Sequence, residues 1–134
     1  MIDIEDELFN HIATVLRSRY NPIMVAGEYV NSPTVFPVVT IEEKSNAVLI
    51  RTQDSGSLEN HATVMYTINV YSNKQSGRKR ECKEIFNTID NEFQRFGFTR
   101  TLQEPMPNLN ESTIYRMVGR YTAVVSKDKT IYRR

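Results

Sequence analysis

Few side chains in this sequence could do chemistry, and their spacing decides what that chemistry would be. Two histidines, His11 and His61, and one cysteine, Cys82, are the whole complement among 134 residues. A metal site needs further ligands at a fixed interval, such as His-x-x-x-His or clustered carboxylates, and neither histidine has them. His11 is expected at the surface or boundary of a helix, off its apolar stripe. Cys82 falls on the apolar stripe of a second helix, where a thiol behaves as a small hydrophobe rather than a nucleophile. A lone cysteine also excludes an intramolecular disulfide and a multi-cysteine zinc site. Glu42 and Glu43 are neighbours in a strand-like run, so they point to opposite faces and need a third acid to make a carboxylate pair. Asp54-Ser55-Gly56-Ser57 has serines but no strand–turn–helix elbow to activate one, so it reads as a turn. No glycine-rich phosphate loop occurs. The sequence therefore predicts no catalytic, metal-binding or cofactor-binding residues, no cofactor, and a protein that is not an enzyme.

Two groups of cations stand out instead. Arg78, Lys79 and Arg80 occupy the first turn of the second expected helix. Cations there oppose the helix dipole, at roughly 0.3–1 kcal/mol each when exposed. Glu81 and Glu84 are placed to neutralise them; the alternative is that an acidic surface or a phosphate docks there. Such local conflicts mark functional sites, though weakly. Arg116 and Arg120 lie on the polar side of a late strand, either as a solvated face or as one turned towards DNA.

The elements that position these residues follow from periodicity. Over residues 3–19, Ile4, Leu8, Phe9, Ile12, Val15 and Leu16 fall at helical spacing. Asp3 is the expected N-cap, acids crowd the start and Arg17 and Arg19 the end, as the helix dipole favours. Asn21-Pro22 stops that helix. Residues 23–30 suggest a short strand and residues 35–43 another, with Pro37 marking a strand start or an edge. Residues 47–52 extend the pairing after a turn at Ser45-Asn46, and residues 53–60 form a loop. Residues 61–72 alternate cleanly, with Val64, Tyr66, Ile68 and Val70 on one face. Residues 78–96 carry a helical stripe through Cys82, Ile85, Phe86, Ile89, Phe93 and Phe96. Gly97 is then a left-handed C-cap, with Phe98 placed for the accompanying apolar contact. A strand at 98–103, a loop marked by Pro105 and Pro107 and running to Ser112, and a long strand at 113–126 complete the order. The basic tail, 127–134, adds a last strand or hangs free. The expected fold is one α+β domain over 1–134, an antiparallel, mostly β sheet packed by two amphipathic helices.

Composition narrows the class. At this length a chain buries about two thirds of its extended surface, enough for a true core. Apolar residues are 40% and charged residues 25%, with five glycines and five prolines, which excludes a disordered or collagen-like chain. No apolar run approaches ~18 residues, so no membrane span is expected. The acidic start is unlike a secretion signal, and synthesis inside the cell is expected. The net charge of +1 argues against a dedicated DNA-binding domain. That total hides a gradient. Residues 1–45 hold three basic and seven acidic side chains, residues 46–90 six and five, and residues 91–134 eight and four. Either the ends fold together and cancel, or acidic and basic faces meet on neighbouring copies, the head-to-tail contact that builds rings.

An acidic amphipathic helix is followed by Phe36-Pro37-Val38-Val39-Thr40-Ile41. A long strand ends in Ile68-Asn69-Val70-Tyr71-Ser72 and runs into the helix bearing Ile85, Ile89 and Phe93, which closes with Phe96-Gly97-Phe98. A proline-containing loop precedes Ile114-Tyr115-Arg116 and Arg120-Tyr121. In this order, over most of its length, the chain resembles the tail terminator and tail completion proteins of long-tailed bacteriophages, also called minor tail proteins. The resemblance implies a non-catalytic subunit of a ring, commonly a hexamer, at the head-proximal end of the tail tube. Such a ring caps tube polymerisation and offers a surface to the head connector. The implied partners are further copies of the chain, the major tail tube protein and the head connector protein, with DNA only in transit and no membrane. The implied location is the virion tail, after synthesis in the host bacterial cytoplasm. Candidate contacts with a neighbouring subunit or the tube are Arg51, Asp54, Glu59, Arg78, Lys79 and Arg80. Arg116 and Arg120 are candidates for a basic lumen facing DNA. The alternatives are a head-to-tail connector or head completion protein, and a small nucleic-acid-binding module using Arg78, Lys79, Arg80, Arg116 and Arg120.

Overall fold

The computed structural model describes residues 1–28, 33, 35–48, 61–106, 113–129 and 131–132. Along the chain these form α1 (Glu5–Arg19), β1 (Met24–Ala26), β2 (Val38–Val48), β3 (His61–Ser72), α2 (Arg78–Arg95), β4 (Thr99–Met106), β5 (Tyr115–Ser126) and β6 (Ile131–Tyr132). The expected loop at 53–60, with Arg51, Asp54 and Glu59, lies outside the described residues.

Five strands lie in the order β1-β2-β3-β5-β4, and β6 pairs with β5 at Val124 and Val125, beyond the reach of β4. The result is an α+β fold with both helices packed on the sheet. One edge departs from the antiparallel expectation: β1 pairs with β2 in parallel. Eleven residues separate Ala26 from Val38, whereas a tight hairpin turn would have forced antiparallel pairing. β1 is also shorter than expected, three residues rather than eight. The turn expected at Ser45-Asn46 is absent. β2 runs through it and absorbs the extra residue as a bulge between Glu43 and Ser45. Pro105 lies inside β4, not in a loop, because β4 is an edge strand and a missing N–H there breaks no ladder. Part of the tail adds β6, one of its two expected fates.

The core follows from alternation in β3. Ala62, Val64, Tyr66, Ile68 and Val70 are all fully buried, so one face of the strand turns wholly inward. Val39 and Ile41 of β2 stand opposite Val70 and Ile68, and Met117, Gly119, Tyr121 and Ala123 of β5 stand across on the other side. Leu8, Ile12, Ala13 and Leu16 of α1 and Cys82, Ile85, Phe86, Ile89 and Phe93 of α2 close over that face in one continuous cluster. Each large apolar side chain buried there contributes about 1.5–3 kcal/mol. The helices lie side by side and antiparallel. His11 meets Glu92, Arg19 meets Thr88, and Tyr20 reaches the Glu84 carbonyl.

The helix ends differ from one another. α1 begins after Ile4, so Asp3 is not its N-cap, yet the Asp3 carboxylate still accepts the Glu5 N–H at 3.0 Å. α2 ends as expected. Gly97 has φ +93°, its N–H reaches the Gln94 carbonyl, and the Phe98 N–H reaches that of Phe93. The Phe93 and Phe98 rings meet edge to face, 5.0 Å apart. That is the full Schellman arrangement with its apolar contact.

Candidate functional site

A single cross-strand row organises the polar groups at the sheet. Glu43 of β2 is paired with Tyr66 of β3, Tyr66 with Tyr121 of β5, and Tyr121 with Arg100 of β4. The row spans three strand spacings, ~14 Å, on the helix-covered face. Its middle is two fully buried tyrosines. Its ends carry opposite charge.

At the first end, the Tyr66 hydroxyl donates to Glu43 Oε1 at 3.2 Å. The Glu43 backbone N–H donates to Glu5 Oε2 at 3.2 Å. Asp3, Glu5 and Glu43 thereby bring one carboxylate oxygen each to within 4.8 Å of one another. Burial pushes the Glu43 carboxyl above the ordinary range, and the charges of Glu5 and Asp3 push it further, against the Tyr66 hydrogen bond. The same trio is a possible oxygen donor set for a hard cation, though exposed acidic groups often gather without one. The sequence did not reveal it. Glu43 was short of a third acid only along the chain, and folding supplies two from α1 and the segment before it.

At the other end, Asp90 of α2 is buried and accepts three hydrogen bonds. They come from the Tyr121 hydroxyl at 2.7 Å, Arg100 at 3.0 Å and Gln94 at 2.6 Å. Tyr121 also stacks on Phe93, centroids 4.4 Å apart. Burial first, then the neighbouring carboxylate, holds both tyrosine hydroxyls above their ordinary pKa. Beside Arg100, a groove of about 440 Å³ opens between α2 and β4 and includes Lys83.

The cations singled out in the sequence divide between the two sides of the sheet. Arg78 donates to the Thr113 carbonyl at 2.7 Å, which ties the start of α2 to the start of β5. Lys79 and Arg80 are exposed. Glu81 does not neutralise them: it accepts from Ser72 Oγ at 2.6 Å and pairs with Lys74 at 3.3 Å. Gly77 at the N-cap supplies no capping side chain. Arg116 and Arg120 share the face away from the helices. Arg116 donates to Asn69 Oδ1 at 3.0 Å and lies 5.7 Å from the centroid of the Tyr71 ring. Arg120 is exposed, ~13 Å further along β5.

The remaining reactive groups have structural surroundings. Cys82 is buried, faces the Val70 carbonyl at 3.7 Å, and its thiol is pushed up to about 12 by burial. His11 Nε2 lies 2.7 Å from Glu92 and its ring meets Phe96 edge to face. The His11 hydrogen bond, joined by the Arg95 guanidinium, holds Glu92 below the ordinary carboxylate range. Among the described residues, no helix is long and apolar enough to cross a membrane. No protein-family model matches the sequence, and a search of curated proteins gives no match.

Proposed function

We propose that this chain is a structural, self-associating subunit, of the kind that forms the ring of a phage tail terminator or tail completion protein in the virion. One observation carries the reading: a cluster of three acids and a pair of cations lie at opposite ends of one cross-strand row. Asp3, Glu5 and Glu43 gather over the β2 side, and Lys83 and Arg100 flank the β4 side. A subunit with unlike ends associates head to tail, and rings follow when the rotation closes. Ring partners on this reading are further copies, the major tail tube protein and the head connector protein. A head-to-tail connector would use the same geometry. Native mass spectrometry at low and high salt, with negative-stain imaging of the protein mixed with tail tubes, tests the reading. Salt-sensitive oligomers or decorated tube ends are expected. A strict monomer that also leaves tubes bare overturns it.

The Arg116–Tyr71 contact favours a second reading, nucleic-acid contact on the uncovered sheet face. An aromatic ring and a cation side by side can stack on bases and hold phosphates. Binding to single- or double-stranded DNA at ~50 mM salt that weakens as salt rises is the expected sign. No measurable binding at that salt eliminates this reading.

A further inference from the structure

We propose that the groove between α2 and β4 receives the acidic first turn of α1 from a second copy of this chain, a pairing that rests on the self-association reading above. One wall of the groove is a single helical face, Lys83, Phe86, Asn87 and Asp90, and the other is residues 100–103 of β4. Asp90 does not make the groove acidic, because Tyr121, Arg100 and Gln94 already donate to it. Lys83 is exposed and makes no ion pair among the described residues. Arg100 gives one nitrogen to Asp90, also reaches the Tyr121 hydroxyl, and has further N–H donors beyond these contacts. Asn87 and Gln103 add amide donors at the rim. Cations and amide donors in one trough recognise carboxylates.

The complementary feature is the acidic turn itself. Asp3, Glu5 and Glu43 crowd within 4.8 Å, and Asp6 and Glu7 follow. Among the described residues, the ion pair of this turn is Lys129 with Glu7. A surplus of negative charge is left, and a cation from outside relieves it. The turn and the groove sit at opposite ends of the Glu43–Tyr66–Tyr121–Arg100 row. A copy docked by its acidic end therefore keeps its basic end free for the next. Backbone pairing between sheet edges is the competing joint, and both edges oppose it. β4 has a bulge between Arg100 and Leu102 and carries Pro105. On the other side the outermost strand is the three-residue β1, and past Thr40, where β1 stops, β2 has its bulge beside Glu42 and Glu43. Bulges, prolines and charges are what protect sheet edges from strand addition.

Charge exchange tests the pairing on the full chain by sedimentation velocity. Lys83→Glu and Asp6→Lys are compared with the wild type and with the double variant, after circular dichroism confirms the fold. Both positions are exposed. Each single reversal is expected to weaken association by about tenfold or more, and the double variant to recover it. Single variants that assemble like the wild type overturn the groove assignment and leave self-association standing. So does a double variant as weak as the singles. Association abolished by a chelator and restored by calcium or magnesium ions assigns the acidic trio to a metal instead, and overturns the pairing. A wild type that stays monomeric at every salt concentration and on tail tubes overturns both readings.

Discussion

Replacing Tyr121 by phenylalanine keeps the ring that stacks on Phe93 and deletes only the hydroxyl that donates to Asp90. Asp90 is left with Arg100 and Gln94, so the expected loss is about 1–2 kcal/mol in urea unfolding. A loss near zero would show that the hydroxyl contributes nothing to the buried network. Glu43 makes the opposite case, because its folded pKa is raised. The folded state then holds its proton to higher pH than the unfolded state, whose value is about 4.3. Stability therefore falls as pH rises from there through the folded value. Glu43→Gln keeps an oxygen for the Tyr66 hydroxyl and removes the charge. The variant is expected to melt higher than the wild type at neutral pH, with the difference fading in acid. An equal melting temperature at all pH values would contradict this. Glu92 titrates with the reverse sign: its lowered pKa adds stability above about 4.3 that is lost as pH falls below it. The Glu43 neighbourhood was hidden in the sequence because two of its acids lie some forty residues away. The Asp90 network was hidden because a helical aspartate at the edge of an apolar stripe looks the same whether it meets solvent or a tyrosine.

Elements were the legible scale. Strand β3 and helix α2 match the expected spans within a residue, since alternation and helical periodicity are local properties. The Gly97 cap was readable for the same reason: a glycine and a phenylalanine at fixed offsets from an apolar stripe leave little choice. The parallel β1, the bulge in β2 and the strand position of Pro105 were not readable. Each depends on which neighbour a strand finds, and that is decided by the whole sheet. The contact of α2 with β5 supplies a test at this scale. A Cβ on Gly119 would stand 2.6 Å from the Phe86 ring, which is itself buried. Gly119→Ala must displace that ring, which α2 carries. The expected cost is about 1–3 kcal/mol, read as a lowered denaturation midpoint with unchanged slope. An unchanged midpoint would mean that the helix seat is looser than the geometry requires.

One hydrophobic cluster spans both helices and the sheet face they cover, so the described parts of the molecule should unfold together. Far-ultraviolet and near-ultraviolet circular dichroism are expected to give coincident, single transitions on heating. Two separated transitions would mean that α1 leaves the sheet before α2 does. At this scale the charge count proved informative only in part. The gradient along the chain was visible in the sequence, whereas the placing of Glu43 and Arg100 at the two ends of one cross-strand row depended on the strand order, and Lys129 of the basic tail pairs with Glu7 of the acidic helix. The enclosure of Cys82 gives a means of timing such a molecule. Its sulfur is shut beneath α2 and its proton is tightly held, so an alkylating reagent must wait for the helix to lift. Label uptake is then a clock for that lifting. If a second copy grips the neighbouring Lys83, the clock slows on assembly, and one mass measurement over time would report how firmly each subunit is held by the next.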